Sequence, residues 1–142
     1  MNNLILIRHG QSLWNKERRF TGWADIDLTD EVGKSEAKQA GLLIKELNIN
    51  FDTFFSSKLI RAIRTLNIIK EILNKPNDKI NKAWELNERH YGNLTGLNKD
   101  ETIKKYGNKQ VLIWRRSFDI APPPMSPDHP YINKINSKIL SE

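Results

Sequence analysis

The stretch LILIRHGQS, residues 4–12, decides the fold class and the location of the candidate site. An uninterrupted aliphatic run over residues 4–7 predicts a short β-strand that is buried on both faces. Arg8, His9 and Gly10 follow that run at once. Ligands of open α/β sheets bind beyond the carboxyl ends of the strands, so this strand would deliver a basic pair to a binding crevice.

Helices and strands are predicted to alternate after this first strand. A loop covers residues 10–32, a helix begins at Lys34, and a second strand spans residues 51–55. The next helix is expected to take Ser56 or Ser57 as its N-cap. A third strand is predicted over residues 80–86, and two further helices over residues 99–106 and 108–118. This alternation predicts an α/β fold with a mainly parallel sheet flanked by helices.

Apolar side chains at helical spacing predict which face of each helix is buried. For the first two helices the expected buried sets are Ala37, Ala40, Ile44 and Leu47, and then Leu59, Ile63, Leu66, Ile69 and Leu73. The last helix is expected to place Val111, Trp114 and Phe118 on one side.

The composition predicts one globular domain over residues 1–142, with a proline-rich loop over residues 121–131 that holds five of the six prolines. Hydrophobic residues make up 38% of the chain and charged residues 28%, which is typical of a folded soluble protein. The absence of cysteine excludes disulfides, thiol nucleophiles and zinc–thiolate sites. No apolar run is long enough to span a bilayer and no leader pattern is present, so we expect a cytoplasmic protein that does not bind membranes.

A net charge of +6 indicates either an anionic partner or a lysine-rich, solvated surface. The basic residues are scattered rather than clustered, which favours a small phosphorylated metabolite over nucleic acid. If the first two strands are parallel neighbours, Arg8, His9 and Arg61 face one crevice. Arginine presents a fork of donors that matches phosphate, and a neutral imidazole between positive charges is a nucleophile. Phosphoryl transfer also needs a group that handles a proton, for which Glu88 is the candidate.

Four motifs together resemble those of the cofactor-dependent phosphoglycerate mutases, within the histidine phosphatase superfamily. They are R-H-G-x-S at residues 8–12, R-F-x-G-W at 19–23, S-x-L-x-R-A-x-x-T at 57–65 and N-E-R-x-Y-G at 87–92. The resemblance runs from about residue 4 to the end of the chain. Two features favour the mutases over the general phosphatases of the superfamily. They are the stretch NERHYGNLTGLNK and the pair of consecutive arginines, Arg115 and Arg116.

The resemblance implies a role for each matching residue. His9 would carry the phosphoryl group covalently, Arg8 and Arg61 would bind that group, and Glu88 would act as acid and base. The remaining implied substrate contacts are Gln11, Ser12, Asn15, Thr21, Gly22, Arg89, His90, Tyr91, Lys99, Arg115 and Arg116. The residue His129, in the proline-rich loop, is expected to be solvated.

The resemblance also implies the reaction and its cofactor. Such enzymes use 2,3-bisphosphoglycerate to charge the histidine, need no metal, and interconvert 3- and 2-phosphoglycerate in glycolysis and gluconeogenesis. They form homo-oligomers.

Two departures from the family pattern bear on activity. Gln11 stands where the mutases usually carry glutamate, which is a mild change. The family's second histidine, in a late H-G motif at the end of another parallel strand, has no match before Glu142. We therefore expect a C-terminally incomplete, truncated domain with little activity alone. A broad-specificity phosphatase in which Glu88 activates water, or an inactive remnant that binds phosphate, stay open as alternatives.

Overall fold

A computed structural model describes residues 3–135 of the chain. Its sheet is built from two parallel strands, β1 (Phe54–Ser56) and β2 (Ile80–Lys82), in the register Phe54 to Ile80 and Ser56 to Lys82. Side chains alternate across β1, so that Phe54 and Ser56 are buried while Phe55 is exposed. Parallel strands need a crossover connection, which a helix supplies here. The predicted α/β fold class is confirmed.

Residues 132–135 are helical, and five further α-helices accompany the sheet between residues 3 and 116. They are α1 (Leu13–Lys16), α2 (Val32–Glu46), α3 (Ile60–Ile72), α4 (Lys99–Tyr106) and α5 (Asn108–Arg116). Two 3₁₀ turns, Trp84–Leu86 and Gly92–Leu94, lie between β2 and α4. None of the helices in this part of the chain is both long and apolar enough to cross a membrane.

Helix α1 lies inside the stretch that was predicted to be a loop. Ser12 is its N-cap: the Ser12 hydroxyl accepts from the backbone N–H of Asn15, and the Asn15 side chain accepts from the backbone N–H of Ser12. This reciprocal pair satisfies two donors at the helix start. A single turn of helix has no periodicity to detect, so only the cap residues could have indicated it.

Helix α2 packs on α3 and confirms most of its predicted buried stripe. Ala37 and Ile44 are buried and Ala40 is half-buried. Leu47 is 55% exposed, against expectation, because the helix has already ended at Glu46.

The start of α3 differs from the prediction. Its N-cap is Leu59 rather than Ser56 or Ser57. A carboxylate oxygen of Asp25 accepts the N–H of Ile60 at 2.7 Å, so a distant side chain supplies the capping acceptor. Leu59 and Ile69 of the expected apolar face are buried, whereas Ile63, Leu66 and Leu73 are only half-buried.

Helices α4 and α5 form a hairpin whose turn depends on glycine. Gly107, between them, has a φ of 82°, a left-handed conformation that favours a residue without Cβ. Val111 of α5 packs into a core with Phe20, Tyr91 and Leu94. Helix α5 ends at Arg116, two residues short of its predicted end, and Phe118 is fully exposed rather than on the packed side.

The proline-rich stretch contains neither helix nor strand over residues 117–131, as its composition predicted. It folds back on the second 3₁₀ turn, where the carbonyl of Pro123 accepts the N–H of Asn93 at 2.9 Å. The prediction of a single domain extends over residues 1–2 and 136–142, which lie outside the described residues.

The prediction of a strand over residues 4–7 is wrong, because these residues form no strand within the described residues 3–135. These residues form no ladder, and Leu4 and Leu6 are 82% and 85% exposed. The segment lines a cavity of about 930 Å³ whose other walls come from β1 and α3, among them Phe54, Leu59 and Ile69. A β-strand is defined by its hydrogen bonds to a neighbouring strand. Because residues 4–7 have no such neighbour here, they lie beside an open groove without forming a strand. The third predicted strand is also shorter, because β2 ends at Lys82 and a 3₁₀ turn follows.

Candidate active site

The imidazole of His9 is held through both of its nitrogens. Nδ1 lies 2.7 Å from the carbonyl oxygen of Gly10, and Nε2 lies 3.1 Å from Nε of Arg61. A carbonyl can only accept and a guanidinium can only donate, so this network assigns the proton to Nδ1 and the lone pair to Nε2. Burial lowers the pKa of His9, and the charges of Arg61 and Arg8 lower it further against the opposing effects of Gly10 and Glu88. The ring is therefore a neutral nucleophile with Nε2 as its reactive atom.

Arg61 is fully buried, and its donors are used by acceptors from three parts of the chain. Its terminal nitrogens donate to the carbonyls of Ala24 and Gly22 at 2.9 Å and 2.6 Å, and to the Glu88 carboxylate at 3.0 Å. Burial lowers the pKa of the guanidinium, whereas Glu88 raises it. Arginine nevertheless stays charged in proteins, so Arg61 supplies a fixed positive charge beside His9.

Glu88 shares the guanidinium of Arg61 with His9, and its side chain is 33% exposed. Its backbone is fixed from the other side, because the indole N–H of Trp23 donates to the Glu88 carbonyl at 2.6 Å. The site therefore holds a nucleophile and a solvent-accessible carboxylate on one buried cation. This is the arrangement that a phosphoryl transfer with a proton step needs.

A cationic rim surrounds these three residues. Burial lowers the pKa of Lys99, and the neighbouring charges of Arg115, Arg18 and Arg8 lower it further, against Glu88. The Nε atom of Arg115 is buried without a hydrogen-bond partner. Cations close enough to perturb one another, with an unused donor among them, define a place for a polyanion.

Of two further predicted residues, Tyr91 borders this rim, and Thr21 directly precedes Gly22, whose carbonyl binds Arg61. Burial and the charge of Glu88 raise the pKa of Tyr91, while a hydrogen bond and the charge of Arg115 lower it. The buried hydroxyl of Thr21 has no partner in the structure. The structure thus brings these predicted residues together: Arg8, His9, Thr21, Gly22, Arg61, Glu88, Tyr91, Lys99 and Arg115.

Other predicted substrate contacts serve the local structure instead. Ser12 and Asn15 cap α1. Gln11 donates its backbone N–H to Glu36, and its side-chain oxygen accepts from the hydroxyl of Thr29. Their polar groups satisfy neighbouring backbone and side-chain groups.

Of the predicted substrate contacts that follow Glu88, Arg89 and His90 also bond to nearby backbone groups. Arg89 donates to the carbonyls of Trp114 and Ser117, and so closes the carboxyl end of α5. Nδ1 of His90 accepts the N–H of Gly92 at 2.9 Å, and the ring packs on Trp23. Arg116 is exposed on α5.

The residue His129 is not solvated as predicted. It is half-buried, its Nδ1 accepts the N–H of Tyr131 at 3.3 Å, and its ring packs on that of Tyr131 at 5.8 Å. The proline-rich stretch folds back on the chain, and this return covers the ring.

Three supporting residues were not among the predicted site residues: Trp23, Asp25 and Thr65. Trp23 and Asp25 lie in the loop whose carbonyls bind Arg61, and they hold Glu88 and the start of α3. Thr65 lies one turn after Arg61 and contacts Gly10. The spacing of the motifs T-G-W-A-D and R-A-x-x-T was the available signal, since a side chain four residues on faces the same way along a helix.

Comparison with known proteins identifies the class. The pattern of the histidine phosphatase superfamily (branch 1) matches residues 4–131. The chain belongs to the histidine phosphatase superfamily.

Curated relatives specify the resemblance further. One is 2,3-bisphosphoglycerate-dependent phosphoglycerate mutase 2 of Bacteroides thetaiotaomicron, 55% identical over 126 residues, which are 89% of this chain and 50% of that protein. The 2,3-bisphosphoglycerate-dependent phosphoglycerate mutase of Parabacteroides distasonis is 54% identical over 92% of this chain and 52% of its own length. The resemblance inferred from the motifs is confirmed. The chain spans about half the length of these relatives.

Solved structures agree with the fold. A mycobacterial glucosyl-3-phosphoglycerate phosphatase is similar with a TM-score of 0.68 and 26% identity, over 80% of this chain and 53% of that one. A phosphoglycerate mutase from Bacillus anthracis has a TM-score of 0.61 and 26% identity, over 72% of this chain and 51% of its own.

Proposed function

We propose that this chain carries the phosphoryl-accepting half of a phosphoglycerate mutase that interconverts 3- and 2-phosphoglycerate. The observation that carries the proposal is the position of His9 Nε2, 3.1 Å from the guanidinium nitrogen of Arg61, which also binds Glu88. The names of the curated relatives support the same reaction.

The residues present fit a bisphosphorylated three-carbon acid. Arg115 has a buried unused donor, the Thr21 hydroxyl is unpartnered, and Lys99 and Arg8 add positive charge. When bound, 2,3-bisphosphoglycerate supplies the phosphoryl group that primes His9. Arg8 and Arg61 would hold that group, and the rim cations would hold the other phosphate and the carboxylate.

In the proposed step, His9 forms the new bond to phosphorus and Glu88 transfers the proton. As the P–O bond breaks, Nε2 of His9 forms the N–P bond, and protonated Glu88 gives its proton to the departing alkoxide oxygen. In the return step the Glu88 carboxylate takes the proton of the attacking hydroxyl. Arg61, whose terminal nitrogens stay bound to Ala24 and Gly22, would present its Nε–H to an oxygen of the approaching phosphoryl group and stabilise its charge.

We also propose that full activity needs polypeptide equivalent to the other half of the relatives. The exposed aliphatic side chains of Leu4 and Leu6 and the groove beside β1 support this, because a parallel sheet is normally covered and paired on both sides. The family's second histidine would belong to that polypeptide. We expect a complete domain to act in the cytoplasm and to form homo-oligomers.

Intact-mass analysis after incubation with 2,3-bisphosphoglycerate tests the proposal. We expect one acid-labile phosphoryl adduct, absent in His9→Ala and retained in the matched control His129→Gln. Circular dichroism of each variant reports on folding. A folded protein without an adduct, or an adduct that persists in His9→Ala, would overturn the proposal.

A broad-specificity phosphatase is the second candidate, because the carboxylate of Glu88 is 33% exposed and so accessible to water. Such an enzyme would release inorganic phosphate from several phosphate monoesters without any bisphosphoglycerate. A phosphate-release assay across substrates separates the two functions, and a preserved adduct with slow release favours the mutase.

A further inference from the structure

Thr65 joins the two residues that hold the reactive imidazole. Its side chain lies on the inner face of α3, and the residue is only 4% exposed. Its hydroxyl accepts the backbone N–H of Gly10 at 3.1 Å and donates to the carbonyl of Arg61 at 2.8 Å. Both capacities of one buried hydroxyl are thereby used.

The same two partners fix the ring of His9. The Gly10 carbonyl accepts the hydrogen bond of the Nδ1–H, and the Arg61 Nε–H donates to Nε2. Thr65 therefore closes a circuit of hydrogen bonds that runs through the imidazole. In this circuit Thr65 touches no reacting atom, so any effect on chemistry passes through His9.

We propose that Thr65 is a positioning residue that sets the tautomer of His9. Its consequence for phosphoryl transfer rests on the proposed function above, whereas its effect on the tautomer does not. Only the tautomer with its proton on Nδ1 has a lone pair on Nε2, and the hydrogen bonds to Gly10 and Arg61 favour this tautomer. Without the hydroxyl, the Gly10 backbone loses its anchor on α3, and the Nδ1–H bond to the Gly10 carbonyl is no longer held.

The other two histidines of the chain provide a reference for measuring the tautomer of His9. In His90 and His129, Nδ1 accepts a backbone N–H, from Gly92 and Tyr131 respectively. Both rings must therefore carry their neutral-state proton on Nε2, the opposite of His9. Three histidines with two assigned tautomers make a change at His9 alone easy to recognise.

Long-range ¹H–¹⁵N spectra of the uniformly ¹⁵N-labelled chain test the proposal at a pH where all three rings are neutral. Comparison with His9→Ala assigns the His9 signals. We expect the Nδ1–H form for His9 in the unaltered chain, a mixture with the Nε2–H form in Thr65→Val, and the original form in Thr65→Ser. Valine keeps the volume and removes the hydroxyl, whereas serine restores it.

A second readout follows the phosphoryl group. We expect Thr65→Val to slow adduct formation from 2,3-bisphosphoglycerate about tenfold, since small misplacements of reacting groups cost one to two orders of magnitude. Thr65→Ser should recover the rate to within about twofold.

Unchanged His90 and His129 signals show that Thr65→Val is folded, and Thr65→Ala replaces it if they are lost. A folded Val or Ala variant in which His9 keeps its original tautomer overturns the proposal. If the tautomer shifts as expected but the unaltered chain forms no adduct, the positioning role stands and the proposed function fails.

Discussion

Arg61 donates to His9 with its Nε–H and to Glu88 with a terminal nitrogen, over 3.1 Å and 3.0 Å. One buried cation thus sets the distance between the nucleophile and the carboxylate. The other donors of the guanidinium bind the carbonyls of Ala24 and Gly22, so the cation is itself fixed by the loop that precedes α2. Folding and chemistry depend on the same side chain.

Replacing Arg61 should therefore cost both stability and function. We expect Arg61→Met to lower the free energy of unfolding by about 3 kcal/mol or more, because it leaves two carbonyls and a carboxylate without their donor. Urea denaturation measures this loss, and the phosphoryl adduct should disappear. The matched control is Arg64→Gln, one turn along α3, where the 49% exposed side chain pairs with Asp27. That change should stay within about 0.5 kcal/mol of the unaltered chain, and equal losses for both variants would contradict the argument.

The protonation of His9 should begin only at acidic pH. Burial and the charges of Arg61 and Arg8 hold its pKa below the ordinary histidine value of about 6.5. The neutral nucleophile therefore persists as pH falls through that value and is lost only at the lower folded-state pKa. In Arg8→Gln one lowering charge is gone, so the pKa should rise and the loss should occur at a higher pH. NMR titration of the His9 ring measures this, with Lys38→Gln on the exposed face of α2 as the charge-matched control. An unchanged or lower pKa in Arg8→Gln would refute the assignment.

Trp23 should influence the reaction through the backbone of Glu88. Trp23→Phe keeps an aromatic ring but removes the N–H that donates to the Glu88 carbonyl at 2.6 Å. We expect the maximal rate of adduct formation to fall about tenfold, with the half-saturating 2,3-bisphosphoglycerate concentration within about twofold. Single-turnover kinetics separate the two quantities. The control is Trp84→Phe, whose 44% exposed ring only packs on Trp23, and a similar rate loss there would show that packing alone matters.

Supplying the further polypeptide proposed above should raise activity. We expect coexpression with the part of the Bacteroides thetaiotaomicron mutase that this chain does not match, about half of that protein, to give a complex that copurifies. Mutase turnover should rise by about 10²- to 10³-fold, the usual contribution of one transition-state donor. Leu6→Glu should prevent assembly by placing a charge in the groove, whereas Leu112→Glu on the exposed side of α5 should not. Turnover that is unaffected by Leu6→Glu would exclude the groove as the contact.

Much of the site was predictable because its parts follow local patterns. Strand β1, helix α3 and the motif around Glu88 are recognisable along the chain. The approach of Arg61 to His9 was expected from two neighbouring parallel strands, of which the first does not form within the described residues, and Glu88 was expected from its chemistry and from the family resemblance. The buried stripe of α3 was only partly predictable from hydrophobicity, since Arg61 and Thr65 are buried beside the expected Ile69. From sequence alone, polar side chains are expected to be exposed. Here they are buried because they form hydrogen bonds with residues 10, 22, 24 and 88, which are distant in sequence.

The strand predicted over residues 4–7 fails for the complementary reason. An aliphatic run indicates burial, but strand structure depends on a ladder with residues far away in sequence. In the part of the chain that the structure describes, the run meets a groove instead of a neighbouring strand. The end of helix α5 also involves a distant group, because Arg89 donates to the carbonyls of Trp114, in its last turn, and of Ser117, its C-cap.

The contact between Arg61 and the lone pair of His9 also bears on unwanted reactions. An imidazole nitrogen that already accepts an N–H is shielded from stray electrophiles, because its electron pair is engaged. An anionic phosphoryl group that competes with Nε2 for the Arg61 N–H would weaken this shield as the transferable group arrives. In the proposed reaction, the resting protein would therefore keep its most reactive nitrogen masked until the charge of the substrate unmasks it.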